Sequence, residues 1–270
     1  MTDSGHTSDT ATPPLASALL AGCAVGTLGG LIGLGGAEFR LPLLIGLFGF
    51  AALHAVILNK AMSLVVVASA LVFRSTAIPF AEVFAHWPII LNLLAGSLLG
   101  AWAGASWAAR MRGRSLYQVL AVLLVLIAAV LMLGHERATQ DPILTGTAQL
   151  VAGVIAGFGI GVVAAIMGVA GGELLIPTLV LLFGVDIKLA GSLSLAVSLP
   201  TMIVAFARYS QDQSFGILRT HKSFVVAMAA GSIVGAAIGG QLLGVIPSGV
   251  LLPALAAILL ISSVKVWRHK

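Results

Sequence analysis

Ten apolar segments follow one another along this chain with only short polar breaks between them. That succession constrains the fold more than any single residue. The segments are 15–35, 39–50, 53–73, 85–108, 116–134, 142–168, 173–184, 188–207, 223–243 and 250–266. A helix needs about 20 mostly apolar residues to cross a bilayer, and most of the segments reach that length. Segments 39–50 and 173–184 are too short and read as half-helices or re-entrant arms. Of 270 residues, 59% are hydrophobic and 9% charged, which excludes an ordinary soluble domain because folded surface must be covered largely by polar groups. The 32 glycines follow no Gly-X-Y period, so a collagen-like chain is excluded too. A single cysteine, Cys23, leaves no intrachain disulfide and no Cys-rich metal site. The expectation is an all-α polytopic membrane protein with about 8–10 membrane segments.

The net charge of +5 arises from 14 basic and 9 acidic residues. They cluster in the breaks between apolar runs, as topology signals do, and form no nucleic-acid face. Residues 1–14 are polar and read as a disordered tail; no basic n-region precedes the first apolar run, so a signal peptide is not expected. Arg110, Arg112 and Arg114 mark one cytoplasmic loop and Arg208, Arg219 and Lys222 another. Lys265, Arg268 and Lys270 mark a cytoplasmic C-terminus. Loops 135–141 and 244–250 are then external, and the N-terminus is cytoplasmic.

The two halves match at an offset of 135 residues. Gly22, Gly26 and Gly33 match Gly157, Gly161 and Gly168, and Gly36, Glu38 and Pro42 match Gly171, Glu173 and Pro177. Leu47-Phe48-Gly49 matches Leu182-Phe183-Gly184, Ser63-Leu64 matches Ser198-Leu199, and Gly96-Ser97 matches Gly231-Ser232. Between positions 21 and 64, 16 of 44 residues are identical to their mates. Composition alone would not place a Glu, a Pro and a Phe in register. The expected organisation is a tail (1–14), a first membrane repeat (15–134), an external linker (135–141), a second repeat (142–266) and a cytoplasmic tail (267–270). Loop 109–115 carries three arginines and its mate 244–250 none, so equivalent loops are expected on opposite faces. That is an inverted-topology repeat, a plan on which secondary transporters build a midplane site.

Two glycine-rich segments precede the short arms: Gly33-Leu34-Gly35-Gly36 and Gly168-Val169-Ala170-Gly171-Gly172. A phosphate loop would need a strand before it and a soluble domain around it, and the continuous apolar flanks oppose that. Small residues also let membrane helices approach closely, which suits the trios Gly96, Gly100, Gly104 and Gly231, Gly235, Gly239. At the arms the glycines allow a non-helical break, tolerated in a bilayer only where protein or a cavity satisfies the backbone. Free amides at each arm's start would favour an anion. Gly35, Gly36, Gly171 and Gly172 are therefore candidate substrate contacts.

Glu38 and Glu173 each open an arm. Either they cap its amides or they serve proton coupling or gating, since an ionisable residue at membrane depth is costly and marks function. Lys60 either snorkels to the cytoplasmic surface or contacts a substrate anion; its mate is Leu195. Asn59 with its mate Ser194, and Ser63 with Ser198, offer hydrogen-bond donors to oxyanions or serve helix packing. Arg40, whose mate is Leu175, is either a second anion contact or a residue at the cytoplasmic rim. His86 and His221 recur at loop ends and read as interfacial. Pro200 is expected to kink its segment. No nucleophile, base and orienter assemble in the pattern and no zinc-site spacing is present, so neither an enzyme nor a cofactor is expected.

The paired glycine segments with Pro42 and Pro177, together with Leu182-Phe183-Gly184-Val185 and Ala190-Gly191-Ser192-Leu193, resemble the sulfite exporter TauE/SafE-like membrane proteins over about residues 18–266. The resemblance implies transport of a small sulfur-containing anion, sulfite or an organosulfonate such as sulfoacetate, across the bacterial inner membrane. The expected partners are that anion, the lipid bilayer and, for coupling, protons; no nucleic acid is expected, and the pattern leaves monomer and homodimer open. A passive anion channel and a non-transporting membrane partner protein are the competing classes, with metal-cation transport a weaker rival because few acidic residues lie at depth and no His cluster is present.

Overall fold

The computed structural model describes residues 14–32, 36–75, 78–133, 142–241 and 248–268. Gly33, Gly35, the linker 135–141, most of loop 244–250 and nearly all of the N-terminal tail lie outside the described residues. Every regular element among the described residues is helical. The first half holds α1 (Leu15–Ile32), α2 (Ala37–Gly46), α3 (Ala52–Arg74), α4 (Phe80–Ala85), α5 (Trp87–Arg110) and α6 (Gly113–Leu133). The second holds α7 (Gly146–Met167), α8 (Gly172–Phe183), α9 (Ile187–Tyr209), a 3-10 turn (Gln213–Gly216) running into α10 (Ile217–Thr220), α11 (Lys222–Gln241) and α12 (Ser248–Trp267). The sequence offset carries α3 onto α9 at both ends, and it carries the first residues of α5 and α6 onto those of α11 and α12.

Four helices among the described residues are long and apolar enough to cross a membrane: Ala52–Val72, Trp87–Arg110, Gly146–Met167 and Lys188–Tyr209. A fifth span arises if Gln213–Thr220 and Lys222–Ile238, bent by 73° at His221, count as one. α1, α6 and α12 adjoin undescribed residues. The outer surface is apolar: Phe84, Trp87, Leu99, Trp107, Ile155 and Ile261 are exposed. Large apolar side chains at this density on spans of membrane length suit a lipid surround. The protein is a multi-pass membrane protein.

The halves interlock crosswise. α1 packs on α11, and its equivalent α7 packs on α5. A Cβ at Gly22 or Gly26 would overlap the carbonyl oxygen of Met228 or Ser232, and one at the mates Gly157 or Gly161 would overlap that of Leu93 or Ser97. In return, Gly231 and Gly235 meet the carbonyls of Leu19 and Cys23, and Gly96 and Gly100 those of Val154 and Phe158. Every pair maps onto its counterpart through the same offset. The glycines thus bring backbones into contact, the packing that replaces hydrophobic collapse in lipid. α3 meets α9 at the centre, and α6 meets α12, so each of these helices contacts its own mate.

The arms begin where the sequence places them. Gly36 and Gly171, with φ of 70° and 83°, immediately precede α2 and α8. This left-handed geometry is nearly cost-free only for glycine. Pro42 and Pro177 sit at equivalent points inside the arms. Neither can donate to the carbonyl one turn earlier. Pro200 lies within an α9 that continues to Tyr209. His86 and His221 occupy equivalent junctions between a short helix and a long one. His221, however, is buried, with its ring 5.1 Å from that of Phe50, rather than lying in an exposed interface.

Candidate functional site

α7 ends in a Schellman motif. Gly168 turns left-handed at φ 70°, its N–H donates to the Ala165 carbonyl, and the Val169 N–H reaches back to the Ala164 carbonyl. Such a cap closes a helix while leaving further carbonyl lone pairs to be satisfied. Side chains from α3 and α9 supply the partners. Lys60 Nζ donates to Ala164 O at 2.8 Å and to Val169 O at 2.7 Å. Asn59 Nδ2 donates to Met167 O at 3.3 Å, the Tyr209 hydroxyl to Ala165 O at 2.9 Å, and the Ser198 hydroxyl to Ala170 O at 2.8 Å. The break between α7 and α8 is therefore held from two other helices, as non-helical backbone at membrane depth requires.

Asn59 also reaches the start of the first arm, donating to Ala37 O at 3.0 Å. Its Oδ1 accepts from Arg40 Nη1 at 3.2 Å, and the same nitrogen donates to Ser63 Oγ at 3.1 Å. Arg40 Nη2 donates to Ser232 Oγ on α11 at 3.1 Å. Arg40 and Lys60 are both 0% exposed. Their hydrogen-bond partners are neutral oxygens, and Arg40 Nε has no partner.

Glu38 and Glu173 lie in the first turns of α2 and α8, both buried. Their carboxyl groups are near neighbours across the two halves. The N-cap residues, Gly36 and Gly171, have no side chain with which to cap the arms, and both carboxyls sit in the first turn at the favourable end of a helix dipole. Glu38 Oε1 and both oxygens of Glu173 lack hydrogen-bond partners.

The candidates named from the sequence thus converge in part. Asn59, Lys60, Ser63, Ser198, Glu38, Glu173, Gly36, Gly171 and Gly172 are all buried around the arms. Lys60 does not snorkel: it points inward to the carbonyls of the other half. Arg40 is no rim residue but the hub of the polar cluster. Ser194 is buried too, but its hydroxyl donates to Gly191 O within its own helix. Gly35 lies outside the described residues. The sequence reading gave no site role to Ser232, Tyr209 or Thr201, whose hydroxyl bonds Ser97 at 2.8 Å. The matched pair Ser97 and Ser232 was the available signal for the first of these. Tyr209, at a helix end, carried none.

Two crosswise-paired halves, two short arms that each start at a left-handed glycine, and a buried polar cluster between them follow the plan of broken-helix membrane transporters. The family model for sulfite exporter TauE/SafE matches residues 18–266, and the chain belongs to that transporter family. No curated protein and no solved structure matches it.

Proposed function

We propose that the protein is a secondary transporter that moves a small sulfur-containing anion, sulfite or an organosulfonate such as sulfoacetate, across the bacterial inner membrane by alternating access. The arginine and lysine clusters favour an orientation with both termini in the cytoplasm. The observation that carries the reading is Arg40. A buried guanidinium normally has an anionic partner, because the cost of removing its charge from water is otherwise uncompensated. Here three neutral oxygens hold its terminal nitrogens, Nε is open, and Glu38 acts on its charge only through space, without a direct ion pair. An oxyanion would supply the missing direct partner, with the amides that begin the two arms and the Ser63 hydroxyl that Arg40 already reaches.

The burial of the whole cluster supports alternating access over a passive channel, since an open pore would leave its polar lining wet. Glu38 and Glu173 are the candidate proton carriers: a proton placed between them would give their unsatisfied oxygens a bond. The test is flux of sulfite and of sulfoacetate into proteoliposomes holding the full chain. Wild type should exchange anion across the membrane, Arg40→Gln should lose at least tenfold in affinity, and Arg40→Lys should recover part of it. A folded Arg40→Gln protein with unchanged affinity would remove Arg40 from the site. Absence of any flux from wild type would favour the non-transporting class.

A further inference from the structure

The partial negative charge at the end of α7 is met by a cation that belongs to another helix. A helix C-terminus carries roughly half an elementary negative charge. In transporters with broken helices, such an end and its unwound carbonyls are where a coupling cation is held. In this chain Lys60 Nζ takes that place, 2.8 and 2.7 Å from Ala164 O and Val169 O. The first oxygen belongs to the last turn of α7 and the second to the break beyond it. Met167 O and Ala170 O, on either side, are already engaged by Asn59 and Ser198. Lys60 is fully buried. Glu38 is near enough to act on its charge through space, but the bonds of the ammonium go to carbonyls. The mate of Lys60 is Leu195, so only the first half carries the tether.

We propose that this carbonyl cradle is a monovalent-cation site whose resident occupant is the Lys60 ammonium, a cation tethered through α3 in the place a coupling metal ion would take. Two consequences follow. The wild-type protein has no use for sodium at this point. Removing the ammonium leaves a carbonyl-lined vacancy of partial negative charge that a small alkali cation can enter. A Lys that served only as a hydrogen-bond donor would be replaceable by a neutral donor, and the vacancy would then attract no ion.

The readout needs no transported anion, so the inference stands or falls separately from the transport reading. Full-length wild type, Lys60→Ala, Lys60→Met and Lys60→Gln are purified in detergent. They are melted in sodium, lithium, potassium and choline chloride at equal ionic strength, and with methylammonium chloride. The wild-type midpoint should be the same in all of them. Lys60→Ala should melt lower in choline, and its midpoint should rise with the logarithm of sodium, lithium or methylammonium concentration, as binding to the folded state requires. Lys60→Met, whose side chain refills the space without charge, should melt lower and ignore the cation. If Lys60→Ala folds only when an alkali cation or methylammonium is present during purification, that supports the site equally. The proposal is overturned if no cation shifts or rescues Lys60→Ala. It is also overturned if Lys60→Gln melts like wild type, or if sodium specifically stabilises the wild type.

Discussion

Replacing Gly168 by Ala should destabilise the protein more than a methyl added at the left-handed glycines Gly49 or Gly146, where it would meet open space, and its cost can be built from two parts. The first is conformational. Gly168 sits at φ 70°, where an L-residue pays about 1–2 kcal/mol. The second is steric. A Cβ there would overlap the carbonyl oxygen of Val56 on α3 and press toward the Lys60 amide; overpacking of this kind costs about 1–3 kcal/mol. The sum is about 2–5 kcal/mol. Two controls separate the parts. Gly49 has φ 71° with open space where its Cβ would go, so Gly49→Ala should cost only the conformational part. Gly159 lies in α7 with nothing nearby, and Gly159→Ala should stabilise by about 0.5–1 kcal/mol, as helix propensity directs. The three are compared by thermal and denaturant unfolding in one detergent. If Gly168→Ala costs no more than Gly49→Ala, the close approach of the α7 break to α3 is wrong, and with it the carbonyl cradle that Lys60 fills.

Gly26→Ala and Gly161→Ala, which drive a methyl into the carbonyls of Ser232 and Ser97, should destabilise by similar amounts of about 1–3 kcal/mol; a large inequality in unfolding midpoints would break the crosswise equivalence of α1 on α11 and α7 on α5. In a background where Cys23 is replaced by Ala, single cysteines at Gly113 and Ser248, the equivalent first residues of α6 and α12, should be labelled from opposite faces of the membrane by an impermeant thiol reagent. Labelling of both from one face would refute the inverted orientation of the halves.

Much of this fold is written locally. The apolar runs, the glycines before each arm and the identical offset of Gly, Glu and Pro place α2 and α8 to within a few residues, because helix breaks and membrane spans are set by neighbouring residues. The trios of glycine four apart announced close helix contact, though not which helix would be met. The polar cluster was less legible because its bonds are not local. Arg40 finds Ser232 192 positions away, and Lys60 finds its two carbonyls 104 and 109 positions away. Sequence depth alone left Lys60 between snorkelling and an anion contact, and Arg40 between an anion contact and the rim; both side chains turn inward, Arg40 to side-chain oxygens and Lys60 to carbonyls that the α7 break leaves short of donors. Backbone carbonyls bear no residue-specific signal, so a site built from them is invisible until the chain is folded.

The unequal distribution of charge between matching halves leads to a prediction about energetics. Arg40 and Lys60 face neutral mates, Leu175 and Leu195, whereas Glu38 and Glu173 recur in both halves. The buried cluster therefore holds two cations and two carboxyl groups. With both carboxyls ionised it is neutral, and an arriving anion would leave a net negative charge in a low-dielectric core. With one proton on the carboxyl pair the cluster is positive by one, and a monovalent anion restores neutrality. Anion and proton should thus travel together in a one-to-one ratio. For a monovalent anion that cycle moves no net charge, so a membrane potential should not drive it, although the same potential would shift uncoupled anion movement by about 2.3 kcal/mol per 100 mV. A divalent anion carried with one proton would move one net charge and feel the potential. The measurement is uptake of radiolabelled anion into proteoliposomes with the pH gradient and the potassium-valinomycin potential set independently, using pH values at which a monovalent or a divalent substrate form predominates. Coupling requires that a pH gradient alone accumulate the anion, and that Glu38→Gln or Glu173→Gln abolish accumulation while anion exchange survives. Flux that follows the potential and the anion gradient alone would refute it. Arg40 would then accept its anion without a proton, and outward movement would run on the interior-negative potential.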